Sequence, residues 1–129
     1  MMIMLRAWRE TTADQRGSGT LLVMCVAVFL LVGATAFGVL GQYLVAAQRA
    51  RSAADLAALA GAQAYGSGND GCQAAELYAA RNDHRLAGCS IVGDKVDFVL
   101  TTKITAPVPV EVAVLPTSIT VRAHAGPVR

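Results

Sequence analysis

The chain has 129 residues and a mass of 13.4 kDa, room for one small domain and not two. Hydrophobic residues make up 54% of it, the mean hydropathy is +0.47, and the net charge is only +2, with 11 basic residues dispersed along the chain and aromatics at 5%. An ordinary soluble domain is disfavoured, and the concentrated basic face that nucleic acid binding needs is missing.

Residues 1–17 read as a short basic leader, with Arg6, Arg9 and Arg16 set against Glu10 and Asp14. Ser18 or Thr20 is placed to cap a helix that starts there. From Leu21 to Gly41 no residue is charged and only Thr35 is polar. As a helix this run rises roughly 30 Å, the hydrocarbon thickness of a bilayer. A cleaved signal peptide is the alternative, but its apolar core is shorter than this run and helical character continues well beyond it. Three arginines precede the run and Arg49 and Arg51 follow it, a small bias toward a cytoplasmic N-terminus and an extracytoplasmic C-terminal part. Ala34 and Gly38 form a small-x-x-x-small pair suited to close helix packing, although glycine and alanine are also simply common in membrane helices.

Helical pattern runs on to Tyr65 without a proline. At 100° per residue, Tyr43, Ala46, Ala47, Ala50, Ala53, Ala54, Ala57, Ala58, Gly61 and Ala64 share one half of the surface; Gln48, Arg51, Ser52, Asp55 and Gln63 share the other. An alanine-rich face buries little area per residue but admits another helix or sheet at close range. Residues 18–65 are therefore predicted to form one transmembrane and stalk helix, roughly 70 Å long if unbroken. Its packing positions are Ala34, Gly38, Ala50, Ala54, Ala57, Ala58 and Gly61.

The turn formers Gly66-Ser67-Gly68-Asn69-Asp70-Gly71 end that helix. Cys72 to Asp83 follows as a second helix, with Ala75, Leu77, Tyr78 and Ala79 as its apolar material. Beyond Gly88 the period changes to two. Ser90 to Val92 reads as a short strand and Gly93-Asp94 as a two-residue hairpin turn. Lys95 to Thr105 alternates, with Val96, Phe98, Leu100 and Ile104 on one side. Ser118 to Ala125 alternates again, with Ile119, Val121, Ala123 and Ala125 opposite Ser118, Thr120, Arg122 and His124. Pro107, Pro109 and Pro116 mark the intervening stretch as a loop or edge strand, despite the alternating Val108, Val110, Val112 and Val114. The class is α+β: a long N-terminal helix, a second short helix and a small antiparallel sheet forming a head over residues 66–129.

Cys25 lies in the apolar run, where a thiol packs as a small hydrophobe. Cys72 and Cys89 flank the second helix; bridging a loop of about 18 residues removes roughly 3 kcal/mol of unfolded-state entropy, and an exported head with a small core favours such a bridge. A metal site of Cys72, His84 and Cys89 is the alternative, though without a C-x-x-C pair. His124 reads as a solvated strand residue. No G-x-S-x-G, phosphate loop or H-E-x-x-H occurs in the sequence, so no enzyme, cofactor or small-molecule substrate is expected.

Arg16-Gly17-Ser18-Gly19-Thr20 running into an apolar helix, followed by Gln48-Arg49-Ala50-Arg51-Ser52-Ala53-Ala54-Asp55-Leu56-Ala57-Ala58-Leu59-Ala60, resembles the N-terminal segment of TadE/TadG-like proteins. These are the pilin-like proteins associated with Flp, or tight-adherence, pilus systems. The combination looks most similar to the actinobacterial TadE-like proteins named for a helicase and secretion gene neighbourhood. The likeness covers roughly Arg16 to Ala64. It implies a pilin-like, single-pass component of a Tad/Flp-type pilus or secretion system, working through helix packing and contacts with other Tad subunits. It also implies a prepilin peptidase site at Gly17–Ser18. Cleaved pilins carry glutamate at the fifth mature position, which here is Leu22. Two other readings remain: an uncut membrane accessory of the secretion machinery, and a secreted effector or binding domain whose apolar segment serves for export.

Overall fold

The computed structural model describes residues 2–127, and side chains from residue 17 onward. In chain order it contains α1 (Met2–Gly66), α2 (Gly71–Arg81), β1 (Arg85–Gly93), β2 (Phe98–Pro107) and β3 (Ser118–Ala125). The leader arginines fall outside the residues whose side chains are described. Two compact units result, Met1–Val39 and Leu40–Arg129. The second unit takes in the last seven turns or so of α1, and the alanine face is part of its core. The predicted cap at Ser18 or Thr20 does not form, since α1 is helical throughout 17–20.

The first unit is a bare helix. From Leu21 to Val32, and at Phe37, the large apolar side chains are exposed. α1 is long and apolar enough to cross a membrane.

In the second unit β1, β2 and β3 form an antiparallel sheet in that order. Leu86 pairs with Ile104 and Ile91 with Leu100, with a register shift between Leu86 and Gly88. Ile104 pairs with Val121 and Thr102 with Ala123. One face of the sheet meets helices. The buried core joins Ala53, Ala54, Ala57 and Ala58 of α1, Ala75 and Ala79 of α2, Leu100 and Ile104 of β2 and Ala123 of β3. The helices contribute methyl groups and the sheet the larger side chains, so that β2 fits closely under α1.

The chain between the helices is built for a sharp reversal. Asn69 N–H donates to Ala64 O (2.9 Å) and Gly68 N–H to Tyr65 O (3.0 Å). This pattern closes a helix through a left-handed residue, which Gly68 supplies with φ +85°. Asp70 then caps α2, its carboxylate accepting from Gln73 N–H at 3.1 Å. α2 ends in the same way, with His84 N–H on Ala79 O (3.0 Å) and Asp83 N–H on Ala80 O (3.1 Å); here the left-handed residue is Asp83, φ +58°.

Three local expectations are corrected. α2 buries Gly71, Ala75 and Ala79, positions four apart on one face, while Leu77 and Tyr78 point outward. β1 starts at Arg85, five residues before the expected Ser90. The hairpin is a four-residue loop, Asp94 to Asp97, closed by Asp94 N–H on Asp97 O at 2.9 Å. Val96 consequently lies in that loop and is exposed. The buried alternation begins at Phe98, whose ring meets Tyr65 edge-on with centroids 4.7 Å apart, one residue from the end of α1. The third alternating segment forms β3 over the predicted residues, and the proline-marked stretch is a loop.

Candidate functional site

The alanine face of α1 is the first surface that the structure defines. Ala50, Ala53, Ala54, Ala57, Ala58 and Gly61 are all buried. Tyr43, Ala46, Ala47 and Ala64 are half-buried, and Gln48, Arg51, Ser52, Asp55 and Gln63 are exposed. The helical period of the sequence therefore places both halves correctly. What covers the face is the chain's own sheet and α2.

Gly61 marks the closest approach. A Cβ built there would stand 2.7 Å from Gly71 O and 2.8 Å from Leu100 Cδ1; one built on Gly71 would stand 2.8 Å from Gly61 O. Each glycine thus makes room for the other's backbone over Leu100. Gly71, read from sequence only as a turn residue, is half of this contact.

Thr102 is the polar member of the buried face. It is fully buried, and its Oγ1 donates to Ala54 O at 3.0 Å. The bond links the middle of β2 to the middle of the alanine face. Thr102 is polar and so does not stand out among the apolar residues of the strand, although its even position between Leu100 and Ile104 puts it on the inward side.

Cys72 and Cys89 are joined in a disulfide, with Cα atoms 5.8 Å apart. It fastens the first turn of α2 to β1. With both sulfurs so engaged, the alternative set of Cys72, His84 and Cys89 loses its thiolates; among the described residues no group of three His, Cys, Asp or Glu is arranged for a metal ion. His84 Nδ1 lies 2.5 Å from Asn82 O. Cys25 is free and exposed in the apolar run.

The sheet's other face carries the strands' polar side chains. Lys103 stands opposite Arg122 and Thr101 opposite His124, with Thr101 Oγ1 2.9 Å from His124 Nδ1 and Thr105 Oγ1 3.3 Å from Thr120 Oγ1. Thr101, Lys103, Arg122 and His124, with Gly88 to Ser90 of β1, border an open hollow of about 350 Å³. Lys103 and Arg122 thus place two positive charges side by side on this face, an arrangement that costs some strand-pair stability.

Ala34 and Gly38 are exposed on α1, as are Gly17 and Ser18 near the start of the described side chains. The structure brings none of these four against another element; a Cβ added at Gly17 or Gly38 would meet nothing within 4 Å.

Residues 17–64 match the model of the Tad family, described as Flp pilus-assembly TadE/G-like. The match covers less than half of the chain and lies wholly on α1. This stretch is similar to TadE/G-like proteins, and α2 and the sheet lie beyond it. No curated protein matches the chain, and neither does any solved structure. The Tad match and the long apolar helix fit a pilus-related membrane component, and the family points to a structural role.

Proposed function

We propose that the chain is a single-pass, pilin-like component of a Tad/Flp-type pilus or secretion system, with its N-terminus cytoplasmic and its head outside. The observation that carries the reading is the coincidence of the Tad match with α1, a helix whose apolar run is exposed while the half beyond it is folded into a head. Residues 21–41 sit in lipid in this reading, and the head is displayed by the helix that anchors it. The disulfide supports an exported head, since such bonds persist in oxidising compartments.

Contacts with other Tad subunits use surfaces the head leaves open. In the membrane these are Ala34 and Gly38, where small residues let a second helix approach. On the head side of α1 they are Leu56, 48% exposed, and Leu59, 54% exposed, with the alanines behind them already occupied. Photocrosslinkers at Leu56, Leu59 and Gly38 in native membranes test this. Adducts with another protein of the same assembly are expected; a monomer free of adducts at all three positions rejects the role as an assembly subunit.

Leu22 favours a second reading, an uncut membrane accessory. After cleavage at Gly17–Ser18 it occupies the fifth position, and a leucine there supplies no carboxylate to pair with a neighbouring subunit's N-terminus. Intact mass from native membranes separates the two readings. A chain beginning at Ser18 supports a prepilin peptidase as processing partner and a place in a filament; a mass retaining the leader supports the accessory.

A further inference from the structure

The loop between β2 and β3, residues 108–117, is unusually apolar for a surface connection. It holds Val108, Val110, Val112, Ala113, Val114 and Leu115, two prolines, and a single charge at Glu111. Val108 is buried, whereas Val114 is 89% exposed and Leu115 is 43% exposed. The loop's position on α1 is fixed by a hydrogen bond from Tyr43 Oη to Pro116 O. Tyr43 lies two residues past Gly41, where the uncharged run ends, and its helical neighbours Leu40, Leu44 and Val45 are themselves exposed. The apolar tip is therefore tied to the place where the membrane-length segment gives way to the head.

The loop's backbone suits partial removal from water. Pro109 and Pro116 have no N–H to satisfy. Val108 N–H donates to Thr117 O at 2.9 Å and Leu115 N–H to Val112 O at 3.0 Å. Each internal bond lowers the cost of leaving bulk water. Irregular backbone does not enter the hydrocarbon core, but the headgroup boundary accommodates it, and tyrosine is at home at that level.

We infer that Val114 and Leu115 form a second membrane contact, seated in the headgroup and acyl boundary of the bilayer that residues 21–41 cross. The inference rests on the membrane-spanning reading of that run, and the test separates the two. Val96 is an internal control: it is 77% exposed but lies in the β1–β2 loop, at the opposite end of β2.

The full-length chain, disulfide intact, is reconstituted in vesicles of phosphatidylcholine and phosphatidylglycerol, and one site at a time carries the fluorophore NBD. The sites are native Cys25, and Val114→Cys or Val96→Cys in a Cys25→Ser background. Lipids bearing a nitroxide on the acyl chain report contact with the bilayer. The expected result is blue-shifted emission with loss of intensity to the quencher at Cys25 and at Val114, and no loss at Val96. If Cys25 is quenched and Val114 behaves like Val96, the loop contact is overturned and the spanning segment stands. Blue-shifted but unquenched emission at Val114 means that protein covers the tip, and also overturns the contact. An unquenched Cys25 rejects the spanning segment and the inference with it.

Discussion

α1 lies in two different surroundings along its length. Between Leu21 and Val32 its large apolar side chains are exposed; between Ala50 and Gly61 its small ones are buried under a sheet and a second helix. The difference lies in periodicity and side-chain size. The first stretch is apolar all round, which suits a solvent that is itself apolar on every side. The second alternates an alanine stripe with Gln48, Arg51, Ser52 and Asp55, so it has one side for water and one for protein. Large side chains make the first stretch apolar enough to cross a membrane; small ones let a three-stranded sheet reach the helix backbone.

Substitutions that act on one region and spare the other sharpen this contrast. The largest expected effect is Leu100→Ala. Leu100 is fully buried at the meeting point of Gly61 and Gly71, and truncating a buried leucine costs about 2–5 kcal/mol. Urea unfolding of the detergent-solubilised chain, followed by near-ultraviolet circular dichroism, measures it; a loss below the bottom of that range means that the core is not packed as described.

Gly61→Ala comes next and tests the sign. An alanine in an open helix stabilises by about 1 kcal/mol relative to glycine, but at 2.7 Å from Gly71 O the added methyl forces the backbones apart, and overpacking costs about 1–3 kcal/mol. Net destabilisation is expected in the same unfolding experiment. Gly38→Ala, where nothing lies within 4 Å, leaves head unfolding unchanged. Equal effects at the two glycines erase the contrast.

Thr102→Val removes the hydrogen bond to Ala54 O and is expected to cost about 1 kcal/mol. A shift of the urea midpoint at unchanged slope reads this loss directly, and no shift means that the buried hydroxyl contributes nothing. The smallest effect is a gain. Asp83→Gly replaces a left-handed non-glycine residue, φ +58°, with one that adopts the conformation freely, for at most about 1 kcal/mol of added stability.

The sequence was legible where a single physical rule acted over many residues. The uncharged run, the alanine face, β3 from Ser118 to Ala125 and the Cys72–Cys89 bridge are each carried by a period or a spacing, and the fold class follows from them. It was less legible where two elements negotiate a contact. Gly71 looks like any turn glycine until Gly61 lies against it. Thr102 reads as an interruption of an apolar strand face until Ala54 O accepts its hydroxyl proton. The expected two-residue hairpin is a four-residue loop, Asp94 to Asp97, so Val96 lies exposed in it although it continues the strand's apolar alternation. Ala75, Leu77, Tyr78 and Ala79 are all apolar material of the second helix in the sequence, but only the four-residue spacing of Gly71, Ala75 and Ala79 faces the core. The Tad-like segment was recognisable because residues 17–64 combine the apolar run and the alanine face on one helix.

Membrane topology is the most direct measurement to make. Intact cells carrying the full-length chain are treated with a maleimide-polymer reagent that does not cross membranes, before and after mild reduction from outside, and the protein's gel mobility is followed. A lipid-embedded Cys25 and an exported disulfide give no attachment before reduction and attachment at Cys72 and Cys89 after it. Attachment at Cys72 and Cys89 without reduction, and only after the cells are broken, contradicts both the exported head and the bridge that pins it.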